Sequence, residues 1–332
     1  MNAMRHYNRY PAEFEPQRYV QIIFPHKKSD WVAYLPEAEA TFSAIIKAIA
    51  RFETCVIICA DVLHVMSFFD DHTNLVFIPY ETDDTWARDC SSISVTQEGE
   101  TRLLDFTFTG WGGKFDATRD NAMSQSISSC KSVDFILEGG AIESNGKGAL
   151  LTTSACLLNP NRNATMNKAQ IEHFLKQTLH VNDIYWLNHG YLAGDDTDSH
   201  IDTLARFVDE ETLMYVQCDD PNDEHYNALK AMETELLQMP FKLIALPMCD
   251  ALYFDNERLP ATYANFLFVN GAVLLPVYGV RQDHDAIAIF KATFPDREIV
   301  PIDCSVLVRQ HGSLHCVTMH YPLGAPLPAI TN

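Results

Sequence analysis

The sequence feature that most constrains the fold is a unit of strand, turn, strand, helix and strand that recurs along the chain. Asp89, Glu138, His200, Asn265 and Cys316 stand at or beside the first strand of successive units, at intervals of about 50 to 65 residues. Such a period is typical of a radial repeat rather than a doubly wound sheet. We therefore predict an α/β protein in which ββαβ units form a five-bladed, pseudo-symmetric α/β-propeller around a central site.

The local pattern supports these units. Residues 19–24 and 55–58 read as strands, and the apolar residues between 36 and 51 have helical spacing. Residues 264–277 predict a hairpin with Asn270 and Gly271 at its turn. The strand that carries Cys316 is expected to complete the unit begun near the N-terminus. No linker-like stretch divides the chain, so residues 1–332 are predicted to form a single catalytic domain.

Composition narrows the function. A formal net charge of −20 disfavours nucleic acid and anionic membranes as partners, and it suits a cationic substrate. The sequence has no apolar run of about 18 residues, and Met1–Tyr7 lacks the apolar core of a secretory signal. Nine cysteines are scattered singly, which predicts a reducing, cytoplasmic location without disulfides or a structural zinc site.

Several polar motifs fall at strand ends or in glycine-rich loops. The pair Arg88-Asp89 next to Trp86 reads either as a surface ion pair or as an oriented carboxylate. Trp111 lies in a glycine-rich loop that lacks the spacing of a phosphate loop, and Glu138 precedes two glycines. The acidic loop 195–202 lacks the spacing of a calcium loop.

Cys316 is the candidate nucleophile, and a buried core cysteine is the alternative. Together with His200 it would provide covalent catalysis with general acid–base help, and Glu138 could orient the histidine. Asp89 and Asp202 would suit a planar cation with several N–H donors, which describes a guanidinium. Whether the resting cysteine is a thiolate or a thiol is left open by the sequence.

The chain resembles the agmatine deiminases and, more broadly, the guanidine-modifying enzymes of the pentein fold, which include the bacterial peptidylarginine deiminases. The resemblance spans nearly the whole chain and is carried by motifs at residues 11–16, 86–89, 110–115, 138–140, 157–163, 194–202, 259–266 and 315–316. It implies Cys316 as the nucleophile, His200 as the acid–base group, Asp89 and Asp202 as the guanidinium clamp, and Glu138 as a nearby carboxylate.

The resemblance also implies hydrolysis of agmatine to N-carbamoylputrescine and ammonia through a covalent thiouronium, in putrescine biosynthesis, without a metal or organic cofactor. Trp86 and Trp111 would line the substrate channel, and Asp196 and Asp198 could receive a primary ammonium. A homodimer is the default assembly to test.

Three departures from the family pattern leave the reacting groups intact. Cys90-Ser91-Ser92 follows Asp89, Ser199 replaces a glycine, and only Gly312 remains of a glycine run before Cys316. A deiminase of free arginine or of peptidyl-arginine is therefore the nearest alternative, followed by an amidinotransferase. A non-enzymatic binding protein would predict gaps in the catalytic set, and we find none.

Overall fold

A computed structural model describes residues 8–329. The prediction made from Met1–Tyr7 lies outside the described residues. Strands and helices alternate along the chain, which confirms the predicted α/β class. Within the described residues, no helix is both long enough and apolar enough to cross a membrane.

The strands are short and are numbered here in chain order. They are β1 Gln17–Ile23, β2 Thr54–Cys59, β3 Leu75–Pro79, β4 Ile93–Gln97, β5 Glu100–Thr107, β6 Lys131–Ile136, β7 Ile142–Ser144, β8 Ala149–Thr153, β9 Asp183–Leu187, β10 Ala205–Phe207, β11 Thr212–Gln217, β12 Lys242–Pro247, β13 Tyr253–Phe254, β14 Glu257–Arg258, β15 Leu267–Val269, β16 Ala272–Val277, β17 Glu298–Asp303 and β18 Thr318–Pro322.

The helices, long and short, lie between these strands. They are α1 Leu35–Ala50, α2 Val62–Met66, α3 Ala87–Cys90, α4 Gly110–Gly113, α5 Thr118–Ile127, α6 Ser154–Leu157, α7 Lys168–Leu179, α8 Tyr226–Leu236 and α9 Gln282–Thr293, with 3₁₀ turns at Asp30–Tyr34, Gly139–Ala141, Ile201–Thr203 and Leu307–Gln310. The α4 segment is a tight turn, because Trp111 and Gly112 have left-handed φ angles of 55° and 85°.

One pairing pattern repeats in five sheets. The sheets are β18-β1-β2-β3, β4-β5-β6, β7-β8-β9, β10-β11-β12 and β15-β16-β17. In each, the first strand pairs antiparallel with the second, and the second pairs parallel with the third. Parallel neighbours need a crossover, and α1, α5, α7, α8 and α9 supply it. This is the predicted ββαβ unit.

Each crossover helix also contacts the sheet of the preceding unit, and α1, in the first unit, contacts the sheet of the last. α1 contacts β17, α9 contacts β12, and α8 contacts β9. Phe135 of β6 stacks on Phe174 of α7 at 4.4 Å between centroids, and Tyr80, after β3, donates to the Arg119 carbonyl of α5 at 2.8 Å. This order of contacts returns to its starting sheet, as the predicted five-unit ring requires.

The apolar pattern of the sequence accounts for the packing. The predicted apolar face of α1 is buried, and so are Cys55 and Cys59 of β2, which confirms their interpretation as core residues. Asn270 and Gly271 form the two-residue loop between β15 and β16, as predicted.

The prediction that Cys316 lies on the closing strand is wrong in one detail. Cys316 lies in a turn two residues before β18. β18 itself does pair with β1, so the chain end completes the N-terminal sheet as expected.

Candidate active site

The polar residues at the unit starts lie in the segments that lead into first strands. Asp89 precedes β4, Glu138 precedes β7, His200 precedes β10, Asn265 precedes β15, and Cys316 precedes β18, each by two to five residues. The backbone has not yet entered the sheet at these points, so the side chains can turn toward a common centre.

Gly140 shows how closely three of them converge. A Cβ atom built on Gly140 would lie 2.7 Å from His200 Nδ1, 2.9 Å from Asp89 Oδ1 and 3.1 Å from Asp202 Oδ2. The space that a side chain would need here is therefore taken up by an imidazole and two carboxylates, and only glycine fits. The sequence analysis predicted this grouping of His200, Asp89 and Asp202.

Cys316 lies beside these groups. Its thiol donates to Asn265 Oδ1 at 3.3 Å, and its sulfur lies 3.9 Å from Asp202 Oδ2. Asn265 Oδ1 also accepts from the backbone N–H groups of His315 and Cys316, at 2.9 and 3.3 Å, which fixes the turn that carries the sulfur. Burial raises the pKa of the Cys316 thiol well above its usual value, and the neighbouring Asp202 and Asp89 raise it further. The resting residue is a neutral thiol.

The two clamp carboxylates differ in how they are held. Asp89 accepts from the Trp111 indole N–H at 2.9 Å and from the Gly140 backbone N–H at 3.0 Å. Burial raises the pKa of Asp89 to about 7, against the lowering effect of the Trp111 hydrogen bond. Burial and the nearby Asp89 raise the pKa of Asp202 well above its usual value, and Asp202 Oδ1 has no partner among the described residues. An approaching cation would favour ionisation of both.

His200 is placed to exchange protons at this centre. Its Nδ1 lies 3.7 Å from Asp89 Oδ1, and its Nε2 has no hydrogen-bond partner among the described residues. Burial lowers the pKa of His200 well below its usual value, and the Arg162 charge adds to that effect. The imidazole is neutral at rest and can accept a proton.

Glu138 does not hydrogen-bond to His200 in the resting structure. Both of its oxygens lie 3.0 Å from Arg162 Nε, and both side chains are fully buried. Burial raises the pKa of Glu138, and Arg162 opposes that shift. The same guanidinium donates from Nη1 to Asp198 Oδ2 at 2.6 Å, so Glu138 and Asp198 share Arg162.

The predicted tryptophans lie beside a cavity of about 430 Å³, which is linked to the site through Trp111, the indole donor to Asp89. Trp86 packs against Trp111 edge to face, and Trp111 lines the cavity wall. The lining is strongly acidic; its aspartates are Asp30, Asp83, Asp84, Asp116, Asp120 and Asp196. Burial raises the pKa of Asp84 and Asp120 to about 7 and that of Asp196 to about 6.

Comparisons with known proteins match this geometry. The sequence pattern of the Porphyromonas-type peptidyl-arginine deiminases matches residues 9–322. The chain belongs to this family. It is 32% identical to an agmatine deiminase of Pseudomonas aeruginosa, with 95% of each chain covered. A cysteine-to-serine variant of C. jejuni agmatine deiminase with substrate bound is 39% identical, with a TM-score of 0.94 over 98% of this chain and 99% of that one.

A more distant likeness concerns the fold alone. DDAH from P. aeruginosa, in a mutant complexed with citrulline, is 11% identical and has a TM-score of 0.51 over 92% of this chain and 100% of that chain. Together with the agmatine deiminase structure, it places the chain in the pentein fold, as the sequence resemblance implied.

One departure from the family pattern and one retained glycine have a local explanation. Ser199 adopts a left-handed φ of 63°, where glycine would be unstrained. Its backbone N–H donates to Asp195 Oδ2 at 2.7 Å, which holds this conformation. Gly312 is retained where a Cβ atom would lie 2.1 Å from a ring carbon of Trp86.

Within residues 8–329, the potential metal ligands that cluster are Glu138, Cys156 and His200, with ligand atoms within 4.8 Å of one another. Arg162 already binds both oxygens of Glu138, and its positive charge opposes a metal ion there. The expectation that no metal is required stays a prediction.

Sequence reasoning missed several residues of the site. The sequence places Asn265 at a unit start without indicating its role, and it places Arg162 and Glu13 within family motifs without indicating their partners. His315 binds Asp202 Oδ2 through Nδ1 and Glu13 Oε2 through Nε2, each at 2.7 Å. Its position next to Cys316 was the available signal.

Proposed function

We propose that this protein is an agmatine deiminase, which hydrolyses the guanidinium group of agmatine to N-carbamoylputrescine and ammonia. The observation that carries the proposal is the meeting of Asp89, Asp202 and His200 around Gly140, with the Cys316 sulfur 3.9 Å from Asp202 Oδ2. Two buried carboxylates beside a neutral thiol suit a planar cation whose carbon can be attacked by sulfur.

The aspartate-lined cavity beside Trp111 supports agmatine over arginine as the substrate. At the end opposite the guanidinium, agmatine carries only an ammonium group, whereas free arginine carries both an ammonium group and a carboxylate. The lysine of the cavity lining is Lys28, and Lys28 is already paired with Glu81 at 2.6 Å. A substrate carboxylate would therefore meet aspartates with little compensating positive charge.

Asp196 is a better candidate for the substrate ammonium than Asp198. Asp196 lines the cavity. Asp198 is bound to Arg162 at 2.6 Å and to Lys114 at 2.9 Å. Although burial acts to raise the pKa of Asp198, these two cations hold it below its usual value. We accordingly assign the ammonium contact to Asp196 and a structural role to Asp198.

The reaction begins with substrate binding, because the guanidinium offsets the two carboxylates that hold the thiol neutral. The Cys316 proton passes to His200 as sulfur bonds to the guanidinium carbon. His200 returns that proton to an amino group, the C–N bond breaks, and ammonia leaves a thiouronium. His200 then takes a proton from water as the hydroxyl adds to the carbon. Return of that proton to sulfur as the C–S bond breaks, with loss of the hydroxyl proton to solvent as the C=O bond forms, releases the ureido product.

A substrate panel tests the proposal. Ammonia release is measured with agmatine, arginine and a blocked arginyl peptide, and Cys316→Ala serves as the inactive control. We expect agmatine to have the highest kcat/KM and Cys316→Ala to be inactive. Preference for arginine or for the peptide would refute the substrate, and full turnover by Cys316→Ala would refute the covalent mechanism.

An amidinotransferase would use the same catalytic residues with an amine acceptor in place of water. Product analysis with and without an added amine separates the two reactions, since transfer produces a new guanidine. The single domain, the cytoplasmic location and the homodimer remain predictions. Light scattering of the purified protein checks the assembly.

A further inference from the structure

We propose that His315 is a positioning residue that accepts the proton of Asp202 when a guanidinium cation binds. The clamp would thereby ionise without releasing that proton to solvent. The proposal rests on the function proposed above, and it concerns a residue that does not border the proposed guanidinium site.

The imidazole of His315 bridges two buried carboxyl groups. Nδ1 lies 2.7 Å from Asp202 Oδ2, and Nε2 lies 2.7 Å from Glu13 Oε2. A neutral imidazole has one N–H and therefore cannot donate to both. Either the ring is an imidazolium, or one of the two carboxyl groups carries a proton.

Glu13 is the partner that is ionised at rest. Its oxygens lie 3.0 Å from Nη2 of Arg88 and 3.0 Å from Nη2 of Arg206, and Oε1 accepts from the Phe268 backbone N–H at 3.0 Å. Burial acts to raise the pKa of Glu13, but the hydrogen bond from His315 and the positive charges of Arg206 and Arg88 outweigh it and hold that pKa well below its usual value.

Asp202 is the partner that carries the proton at rest. It is fully buried beside Asp89, and its pKa is raised, as described above. Burial lowers the pKa of His315 well below its usual value, and Arg206 and Arg88 add to that shift. The resting arrangement is then a neutral His315 that donates from Nε2 to Glu13 and accepts at Nδ1 from the protonated Asp202.

Binding of a guanidinium makes the ionised form of Asp202 more favourable than the protonated form. A cation next to Asp202 Oδ1, which has no partner within residues 8–329, favours the carboxylate. The proton needs to move only along the 2.7 Å hydrogen bond to Nδ1, and the resulting imidazolium lies between two carboxylates. The charged and titratable groups around His315 that bear on this transfer are Glu13, Arg88, Asp89, Glu143, Asp202, Arg206, Cys316 and His320.

Proton counting by calorimetry tests the transfer. Agmatine is titrated into full-length Cys316→Ser protein in two buffers of different ionisation enthalpy, which gives the number of protons released on binding. The measurement is repeated with a double variant that combines Cys316→Ser with His315→Gln and therefore lacks the proton acceptor. We expect the double variant to release close to one proton more and to bind agmatine at least 10-fold more weakly, with little change in affinity for N-carbamoylputrescine, whose ureido group is neutral.

Two outcomes would overturn the proposal: an unchanged proton count, or an equal loss of affinity for agmatine and for N-carbamoylputrescine, which a merely structural role would cause. If thermal unfolding shows that His315→Gln does not fold, Glu13→Gln carries the same expectation, because it removes the charge that stabilises the imidazolium. If Cys316→Ser binds no agmatine, the proposed substrate is refuted instead, and the proton count is repeated with the guanidine from which the wild-type enzyme releases ammonia.

Discussion

Arg162 Nε lies 3.0 Å from both oxygens of Glu138, and neither side chain is exposed to solvent. Glu138 is therefore positioned by a guanidinium of the protein itself, beside the space proposed for a substrate guanidinium. Breaking a buried pair of this kind leaves an uncompensated charge, which costs about 3 to 5 kcal/mol. The pair fixes the wall of the site on the side of His200.

Replacement of Arg162 by lysine should lower both activity and stability. Lysine keeps the charge but cannot bind Glu138 and Asp198 in the same fixed geometry. We expect kcat to fall about 10- to 100-fold and the free energy of unfolding to fall by about 2 kcal/mol or more. Steady-state ammonia release and denaturant unfolding measure the two effects.

Arg51→Lys provides the matched control. Arg51 binds both oxygens of Glu298 at 2.8 and 2.9 Å, but both side chains are half-exposed. The free energy of unfolding should change by less than about 1 kcal/mol, because exposed pairs contribute little. Equal effects of the two substitutions would contradict a special role for the buried pair.

Gly140→Ala should abolish turnover, because its Cβ displaces His200 or Asp89 from the positions they hold in the site. Its Cβ would lie 2.7 Å from His200 Nδ1 and 2.9 Å from Asp89 Oδ1, closer than a Cβ can approach unless these side chains move. We expect kcat/KM for agmatine to fall at least about 100-fold, since even a 1 Å misplacement of reacting groups has effects of that size. Gly279→Ala is the control, because its Cβ would contact nothing within 4 Å although its φ is +74°. Retention of activity by Gly140→Ala would place the substrate elsewhere.

The repeat makes some residues of the site predictable from the sequence and leaves the partners of those residues unpredictable. The spacing of Asp89, Glu138, His200, Asn265 and Cys316 predicted both the units and the meeting of these residues, because each occupies an equivalent place before a first strand. The partners of the carboxylates were not predictable in the same way. Arg162 lies in a loop outside the repeat positions, and nothing in its spacing indicates that it pairs with Glu138.

The role of Glu13 in the site was even harder to predict, because this residue lies far along the chain from its partners. It lies 302 residues from His315, and it reaches the site only because β18 pairs with β1. The charge of an isolated glutamate near the N-terminus gives no sign of burial, and it required the folded arrangement of Arg88 and Arg206 to show that the residue is compensated.

Trp111→Phe should shift the pH dependence of the enzyme. The indole N–H donates to Asp89 Oδ2 at 2.9 Å and lowers the pKa of a carboxyl that burial has raised to about 7. Phenylalanine keeps the aromatic wall but loses that hydrogen bond, so the pKa of Asp89 should rise. The guanidinium requires ionised Asp89, so the acidic limb of kcat/KM should move upward by about 0.5 to 1 pH unit.

A pH–rate profile from pH 5 to pH 9 checks this shift. Trp31→Phe is the control, because its indole N–H donates to Thr85 Oγ1 at 2.8 Å and does not contact Asp89. An unchanged acidic limb in Trp111→Phe, or an equal shift in Trp31→Phe, would show that the Trp111 hydrogen bond does not set the ionisation of Asp89.

Asp84→Asn should stabilise the protein at alkaline pH. Asp84 accepts from the Trp86 indole at 2.9 Å through Oδ2, whereas its buried Oδ1 has no partner among the described residues. Burial and the nearby Asp30 raise the pKa of Asp84 to about 7. Because the folded-state pKa is raised, folding favours the protonated acid, and this contribution is lost as pH rises through about 7.

The gain in Tm from Asp84→Asn should therefore grow from pH 5 to about pH 7 and then level off, and it should correspond to about 1 to 3 kcal/mol at pH 8. Calorimetric scans across this range measure it. Asp71→Asn is the control, since Asp71 is exposed and hydrogen bonds from Thr73 lower its pKa, so removal of its charge should bring no such gain. A Tm difference that does not vary with pH would contradict the assigned ionisation of Asp84.

The same substitution should weaken the substrate complex. Asp84 lines the acidic cavity, so loss of its charge reduces the attraction for the ammonium end of agmatine. We expect KM for agmatine to rise about 3- to 10-fold at pH 8 while kcat changes little, because the ammonium contact is the same in the ground state and the transition state. At pH 5, where Asp84 is already protonated, the two proteins should have similar KM values. A fall in kcat with unchanged KM would instead place Asp84 in the chemical step. That result would contradict the role proposed for the aspartate-lined cavity in attracting the substrate ammonium.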